Sequence, residues 1–95
     1  MFEWLNKQGV KAHAGYVLQR MHRFYYHYVE DDHVLKVDVD SGLKGEDIIL
    51  ESAPHWESPY EDESIPSDKL PEIEKRICEA LEFMGIRYTI KKVRS

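Results

Sequence analysis

Cysteine is nearly absent from this sequence. Cys78 is the single one in 95 residues, so no internal disulfide can form and a four-cysteine zinc site is excluded. Long hydrophobic runs are absent too. No stretch reaches the roughly 18 to 20 apolar residues that a membrane-spanning helix needs. The N-terminal MFEWLNKQGVKAHAG has neither the basic start nor the apolar centre of a secretory signal. We therefore expect a soluble, cytoplasmic protein without membrane contact. Basic residues are scarce in one long region, residues 46–74, where ten acids face only Lys69. Phosphate backbones are repelled by such a region, and nucleic-acid binding needs clustered lysine and arginine, so no nucleic-acid partner is expected.

What is present is ordinary in amount and uneven in arrangement. A chain this short divides poorly into separate cores, so residues 1–95 are expected to form one domain. The formal net charge is −5. Residues 1–45 balance six acids against six bases, and residues 75–95 set only Glu79 and Glu82 against six bases. The negative charge is thus concentrated in the middle of the chain, and an acidic surface attracts basic partners and speeds their capture.

Periodicity then assigns elements. Phe2, Leu5 and Trp4 have helical spacing before Gly9, which predicts a short N-terminal helix over residues 2–9. From Gly15 onward the period changes to two. YVLQRM and RFYYHYVE read as strands, with Phe24, Tyr26 and Tyr28 on one face and Tyr25, His27 and Val29 on the other. Asp31-Asp32 marks a turn, and HVLKVDVD returns with Leu35, Val37 and Val39 on the core side. EDIILES gives a fourth strand. A helix follows, which Ser67 or Asp68 can cap; Pro71, placed in the first turn, favours Asp68. Its apolar stripe is Leu70, Ile73, Ile77, Ala80, Leu81 and Met84, and Gly85 stops it. IRYTIKKV closes the chain as a last strand. The expected class is α+β, in the order α-β-β-β-β-α-β. It comprises an antiparallel sheet of about four to five strands, one long C-terminal helix packed on one face and the short N-terminal helix.

Catalytic patterns are missing. His13, His22, His27, His33 and His55 form no i, i+4 helical pair and no HExxH run. His27 and His33 could approach across the hairpin, but surface histidines account for the set, so no metal is expected. Asp38 and Asp40 share a strand face, as general acid–base pairs do, yet an exposed polar face explains them as well. Cys78 has acidic neighbours, which disfavour a thiolate. No Ser-His-Asp arrangement, phosphate loop or nucleophile elbow is visible. No cofactor and no enzymatic activity are expected.

The segment SAPHWESPYEDES, residues 52–64, combines Trp56, Tyr60 and two prolines with four carboxylates and no lysine or arginine. Trp56 is expected to fold inward as a lid, because a large aromatic usually buries most of its area. Tyr60 to Glu63 then form a charged tip. Candidate partner-binding residues are Tyr25 and His27 on the tyrosine face, Asp38 and Asp40, and Trp56, Glu57, Tyr60, Glu61, Asp62 and Glu63.

A strand-rich start from Gly15, then W-E-S-P at Trp56 to Pro59, then Ile65 and an apolar helix ending at Phe83-Met84-Gly85, resembles the immunity protein 74 family of bacterial polymorphic toxin systems. The resemblance extends from about Gly15 to Ile90. It implies a small non-enzymatic inhibitor that binds a cognate toxin domain, often a nuclease, and blocks its activity; independently, the composition suits capture of a basic toxin through an acidic and aromatic surface. An adaptor of a secretion or effector-delivery system, or a self-associating module that forms a homo-oligomer, is the alternative from a different class.

Overall fold

Alternation of apolar and polar residues organises most of the chain into strands. The structure, a computed structural model, describes residues 1–94. Seven strands form one sheet: β1 (Phe2–Asn6), β2 (Gly9–Ala12), β3 (Tyr16–His22), β4 (Tyr25–Glu30), β5 (His33–Gly42), β6 (Gly45–Glu51) and β7 (Tyr88–Val93). One helix, α1 (Leu70–Met84), lies between β6 and β7 in the chain. Spatial order equals chain order, β1-β2-β3-β4-β5-β6-β7. Neighbours from β1 to β6 are antiparallel, whereas β7 runs parallel to β6. The expected α+β arrangement, with its N-terminal helix and four to five antiparallel strands, is thus overturned. The fold is mostly sheet, in the order β-β-β-β-β-β-α-β.

Each departure has a local cause. Phe2, Trp4 and Leu5 fit a helical stripe, but Phe2 and Trp4 equally fit one face of a strand, and a short apolar run does not separate the two periods. Tertiary contacts decide. Asn6 Oδ1 accepts the N–H of Gln8 at 2.8 Å, and Asn6 Nδ2 donates to Gln19 Oε1 at 2.7 Å, so Asn6 makes the turn and ties it to β3. Phe2 and Trp4 then meet the ring of Phe83 on α1, with centroids 5.3 and 5.7 Å away. At the other end, α1 carries the chain back across the sheet, and a crossover of that kind delivers a parallel strand.

Two finer expectations also change. Phe24 is not on the core face; it sits in the Arg23–Phe24 turn, 55% exposed, with the Arg23 guanidinium 5.2 Å from its ring centre. Asp68 does not cap α1. The N-cap is Lys69, in helical geometry and without a side-chain bond, and Pro71 occupies the first turn. Gly85 does end the helix, in a left-handed conformation (φ 76°) that an L side chain rarely adopts.

The core lies between one face of the curled sheet and α1. Val10, Leu18, Tyr26, Tyr28, Leu35, Val37 and Ile48 from the sheet meet Ile73, Ile77, Ala80 and Leu81 from the helix. Two core tyrosines keep their hydroxyls satisfied, as burial demands. Tyr28 donates to Glu30 Oε1 at 2.7 Å and accepts from Arg76 Nη1 at 3.1 Å. Tyr26 lies beside the Arg20–Glu46 ion pair, and burial pushes its phenol up to about 12. No helix among the described residues is long and apolar enough to cross a membrane.

The sheet divides at one end. β5 and β6 pair from Gly42↔Gly45 only as far as Asp38↔Ile49. Beyond that point β5 continues along β4, and β6 continues along β7. Residues 52–69 lead from the parted end of β6 to α1, and the N–H of Glu57 donates to the carbonyl of Val34 at 2.7 Å.

Candidate partner-binding site

Residues 55–64 form a loop closed at its base and pinned at three points. An isolated antiparallel bridge joins His55 to Ser64. The Glu57 contact to Val34 holds the loop to β5. Trp56 drops into the core, 5% exposed, with its ring edge-on to His33 at 5.1 Å. Two successive turns shape the rest, closed by Tyr60 N–H to Glu57 O and Glu63 N–H to Tyr60 O, each at 3.0 Å. The first contains a cis Ser58–Pro59 bond. Glu61 and Asp62 stand at the apex of the second, both exposed. This is the geometry of an Ω-loop packed by its own side chains.

The loop rests on the β4–β5 turn. Asp31 takes a left-handed conformation there (φ 54°), which short polar side chains tolerate better than bulky ones. The neighbouring His33 is the hub. Its ring stacks on Tyr60 at 3.9 Å between centroids, its Nδ1 lies 3.1 Å from Asp32 Oδ1, and its Nε2 lies 3.1 Å from Glu63 Oε1. The Tyr60 hydroxyl donates to Asp32 Oδ2. Acids from two parts of the chain thus become one surface, Asp31-Asp32 with Glu61, Asp62 and Glu63, all exposed. Lys69, the single base of residues 46–74, is engaged elsewhere, 2.7 Å from Glu30.

Electrostatics follow from these contacts. Desolvation works against a charged His33, but Glu63 and Asp32 outweigh it and raise its pKa. The Tyr60 hydroxyl, helped by His33, holds Asp32 below the usual carboxylate range. The same bond, with some desolvation, raises the Tyr60 phenol. The protonated imidazole can donate to both carboxylates at once, so the charged state is the one that fastens the loop.

The remaining candidate residues divide. Tyr25 and His27 lie on the outer sheet face, with ring centroids 5.6 Å apart, and Lys36 Nζ sits 4.7 Å from the Tyr25 ring centre. Burial lowers the His27 pKa, with Glu57 opposing and Lys36 assisting. Glu57 therefore lies close enough to link this face to the loop. Asp38 is the cross-strand partner of Tyr25, while Asp40 pairs with Asp47 further along β5. Tyr60, Glu61, Asp62 and Glu63 gather at the loop, but Asp40 is not brought to them by any contact. Trp56 holds the loop from inside and adds nothing to the exposed surface.

His27 and His33 do not approach each other. They pair with Lys36 and Glu30 respectively and point to opposite faces of the sheet. No group of three or more histidine, cysteine or acidic side chains among the described residues could hold a metal ion.

No family model, no curated protein and no solved structure matches the chain. The site itself has to carry the functional reading. Sequence analysis missed the part played by Asp31, Asp32 and His33. The two acids registered only as a turn signal, and nothing in a linear pattern couples that turn to Tyr60.

Proposed function

We propose that the chain is a non-enzymatic, cytoplasmic immunity-type protein that captures a basic protein partner, a cognate bacterial toxin domain, on the acidic face of the 55–64 loop. One observation carries this reading. His33, stacked on Tyr60 and bonded to Glu63, joins residues 57–63 to the Asp31-Asp32 turn, so the acidic surface is assembled and held before any partner arrives. A surface ordered in advance loses less entropy on association. Its clustered negative field speeds the encounter with a positive partner. Against a nuclease, such a surface would occupy the basic ground that phosphates otherwise use. The likeness of Trp56, Pro59, Ile65 and Gly85 to the immunity protein 74 pattern supports the same class.

The test is the association rate with a basic toxin domain, sought in the reading frame adjacent to that of this chain. Changing Glu61, Asp62 and Glu63 together to lysine is expected to slow association about tenfold or more at low salt, with a smaller effect at high salt. Glu63 also fastens the loop, so the double variant Glu61→Lys/Asp62→Lys separates field from structure. If both variants associate as fast as the wild type at low salt, acidic capture is wrong.

A second reading, a self-associating or adaptor module, is favoured by one feature. β1 is an outer strand of the sheet, and it leaves Trp4 and Leu5 half exposed. Strand edges of this kind invite pairing with another chain. A stable homo-oligomer by native mass measurement, without toxin binding, would favour it.

A further inference from the structure

Where β5 and β6 part, a cavity of about 500 Å³ opens, in the size range of sites that hold small ligands. Its inner wall is apolar, built from Leu35 and Val37 of β5, Leu50 of β6, and Leu70 and Ile73 of α1. The first turn of the helix thus backs the gap in the sheet, and Ser52, Pro54, His55 and Glu57 bound it from the side of the loop.

Polar groups are placed unevenly round this wall. The Val39 N–H bonds to Phe24 O at 2.8 Å, so odd-numbered residues of β5 direct their backbone toward β4. Val34 O accepts from Glu57 on the other side. By that alternation Lys36 aims its N–H and C=O into the gap, where the β5–β6 ladder has already ended. The side chain of Lys36 also lines the cavity, its ammonium held 4.7 Å from the ring centre of Tyr25, the cross-strand partner of Asp38. Four acids line the cavity, Asp38, Glu51, Glu57 and Glu74, and Glu74 pairs with Lys92 at 3.0 Å. Neither Asp38 nor Glu57 is in an ion pair among the described residues.

We propose that this cleft is a peptide-binding site for a short segment of another protein that joins an apolar side chain to an arginine or lysine. The apolar side chain lies on the Leu35–Val37–Ile73 wall. The cationic head meets Asp38 and Glu57, and the Lys36 backbone groups orient the chain that carries them. Charge complementarity selects this occupant, because two unneutralised carboxylates at the mouth of an apolar cavity favour a cation with an apolar body over a neutral or anionic one. The site is distinct from the acidic loop tip and goes beyond the function proposed above.

The experiment titrates the full-length, ¹⁵N-labelled chain with acetyl-Leu-Arg-amide and follows backbone amide shifts. Saturable shifts at Lys36, Asp38 and Ile49 are expected, with a Kd of about 0.1–1 mM, as suits so small a ligand. Acetyl-Leu-Glu-amide and acetyl-Gly-Arg-amide should each bind about tenfold more weakly, the first for lack of a cation and the second for lack of apolar contact. The exposed pair Asp38→Asn/Glu57→Gln, which leaves the wall intact, should weaken acetyl-Leu-Arg-amide by a similar factor. Glu61→Lys/Asp62→Lys should leave it unchanged, so this site and the acidic loop stand or fall separately. The proposal is overturned by the absence of saturable shifts at about 10 mM peptide. It is equally overturned if shifts centre on Glu61–Glu63, if either control peptide binds as well, or if the Asp38/Glu57 variant binds normally.

Discussion

Trp56 and the Glu61-Asp62 pair are five residues apart and live in different solvents. The tryptophan is 5% exposed in the core beside His33, while the two acids stand in water at the apex of a turn. One short loop therefore has two parts: an apolar anchor fixes its position, and a charged tip is left in solvent. The difference shows that the mixed composition of residues 52–64 is not a single docking motif. Burial belongs to Trp56, exposed charge to Glu61 and Asp62, and Tyr60 and Glu63 fasten the loop to Asp32 and His33.

The contrast can be broken at the anchor, where the largest effect is expected. Trp56→Ala removes a fully packed aromatic and should cost about 3–5 kcal/mol of stability, read from the shift of the urea midpoint. A loss below about 1 kcal/mol would mean that the loop stays in place without its anchor.

A smaller effect should come from pH, acting on the fastening between the halves. A group whose folded pKa is raised stabilises the fold in full below its unfolded value, and that gain is lost as pH rises through the folded value. His33 is such a group. Asp32, lowered by its bond to Tyr60, does the reverse: its gain is present above the usual carboxylate range and is lost as pH falls through the depressed value. The loop should thus be tightest in mildly acid solution and loosen as pH rises from the ordinary imidazole value of about 6.5 through the raised value of His33. Acrylamide quenching of tryptophan fluorescence, in a Trp4→Phe background, would show Trp56 becoming more accessible over that range. His33→Asn should flatten the profile; an unchanged profile in that variant would assign the transition to another group.

The smallest effect belongs to the tip. Glu61→Gln/Asp62→Asn removes no side-chain hydrogen bond or ion pair among the described residues and should change stability by no more than about 0.5 kcal/mol, measured by the same urea transition. A larger change would show that the tip, too, has a structural role.

Legibility in the sequence followed the strength of periodic signals. β3, β4, β5 and α1 could be placed because Leu35, Val37 and Val39 alternate cleanly and Ile73, Ile77, Ala80 and Leu81 recur on a helical stripe. Residues 2–9 could not, because Phe2 and Trp4 satisfy both periods and only contacts with Gln19 and Phe83 choose between them. The parallel pairing of β7 was hidden as well, since a strand's pattern says nothing about its direction. At the site, the inward turn of Trp56 could be expected from its size. The union of Tyr60 and Glu63 with Asp32 and His33 could not, because it joins residues 28 and 30 positions apart through the fold alone.

The equality of spatial and chain order has a consequence for how the molecule is made. As the chain leaves the ribosome, each new strand from β2 to β6 finds its partner already synthesised and immediately adjacent. Short loops of this kind close at low entropic cost and favour rapid pairing. Only β7 must wait, since it reaches β6 after the 55–64 loop and α1 have been made. The core cannot be sealed until that helix docks. A nascent chain halted before α1 therefore displays a nearly complete sheet with its apolar face bare, the stage at which aggregation is the greatest hazard.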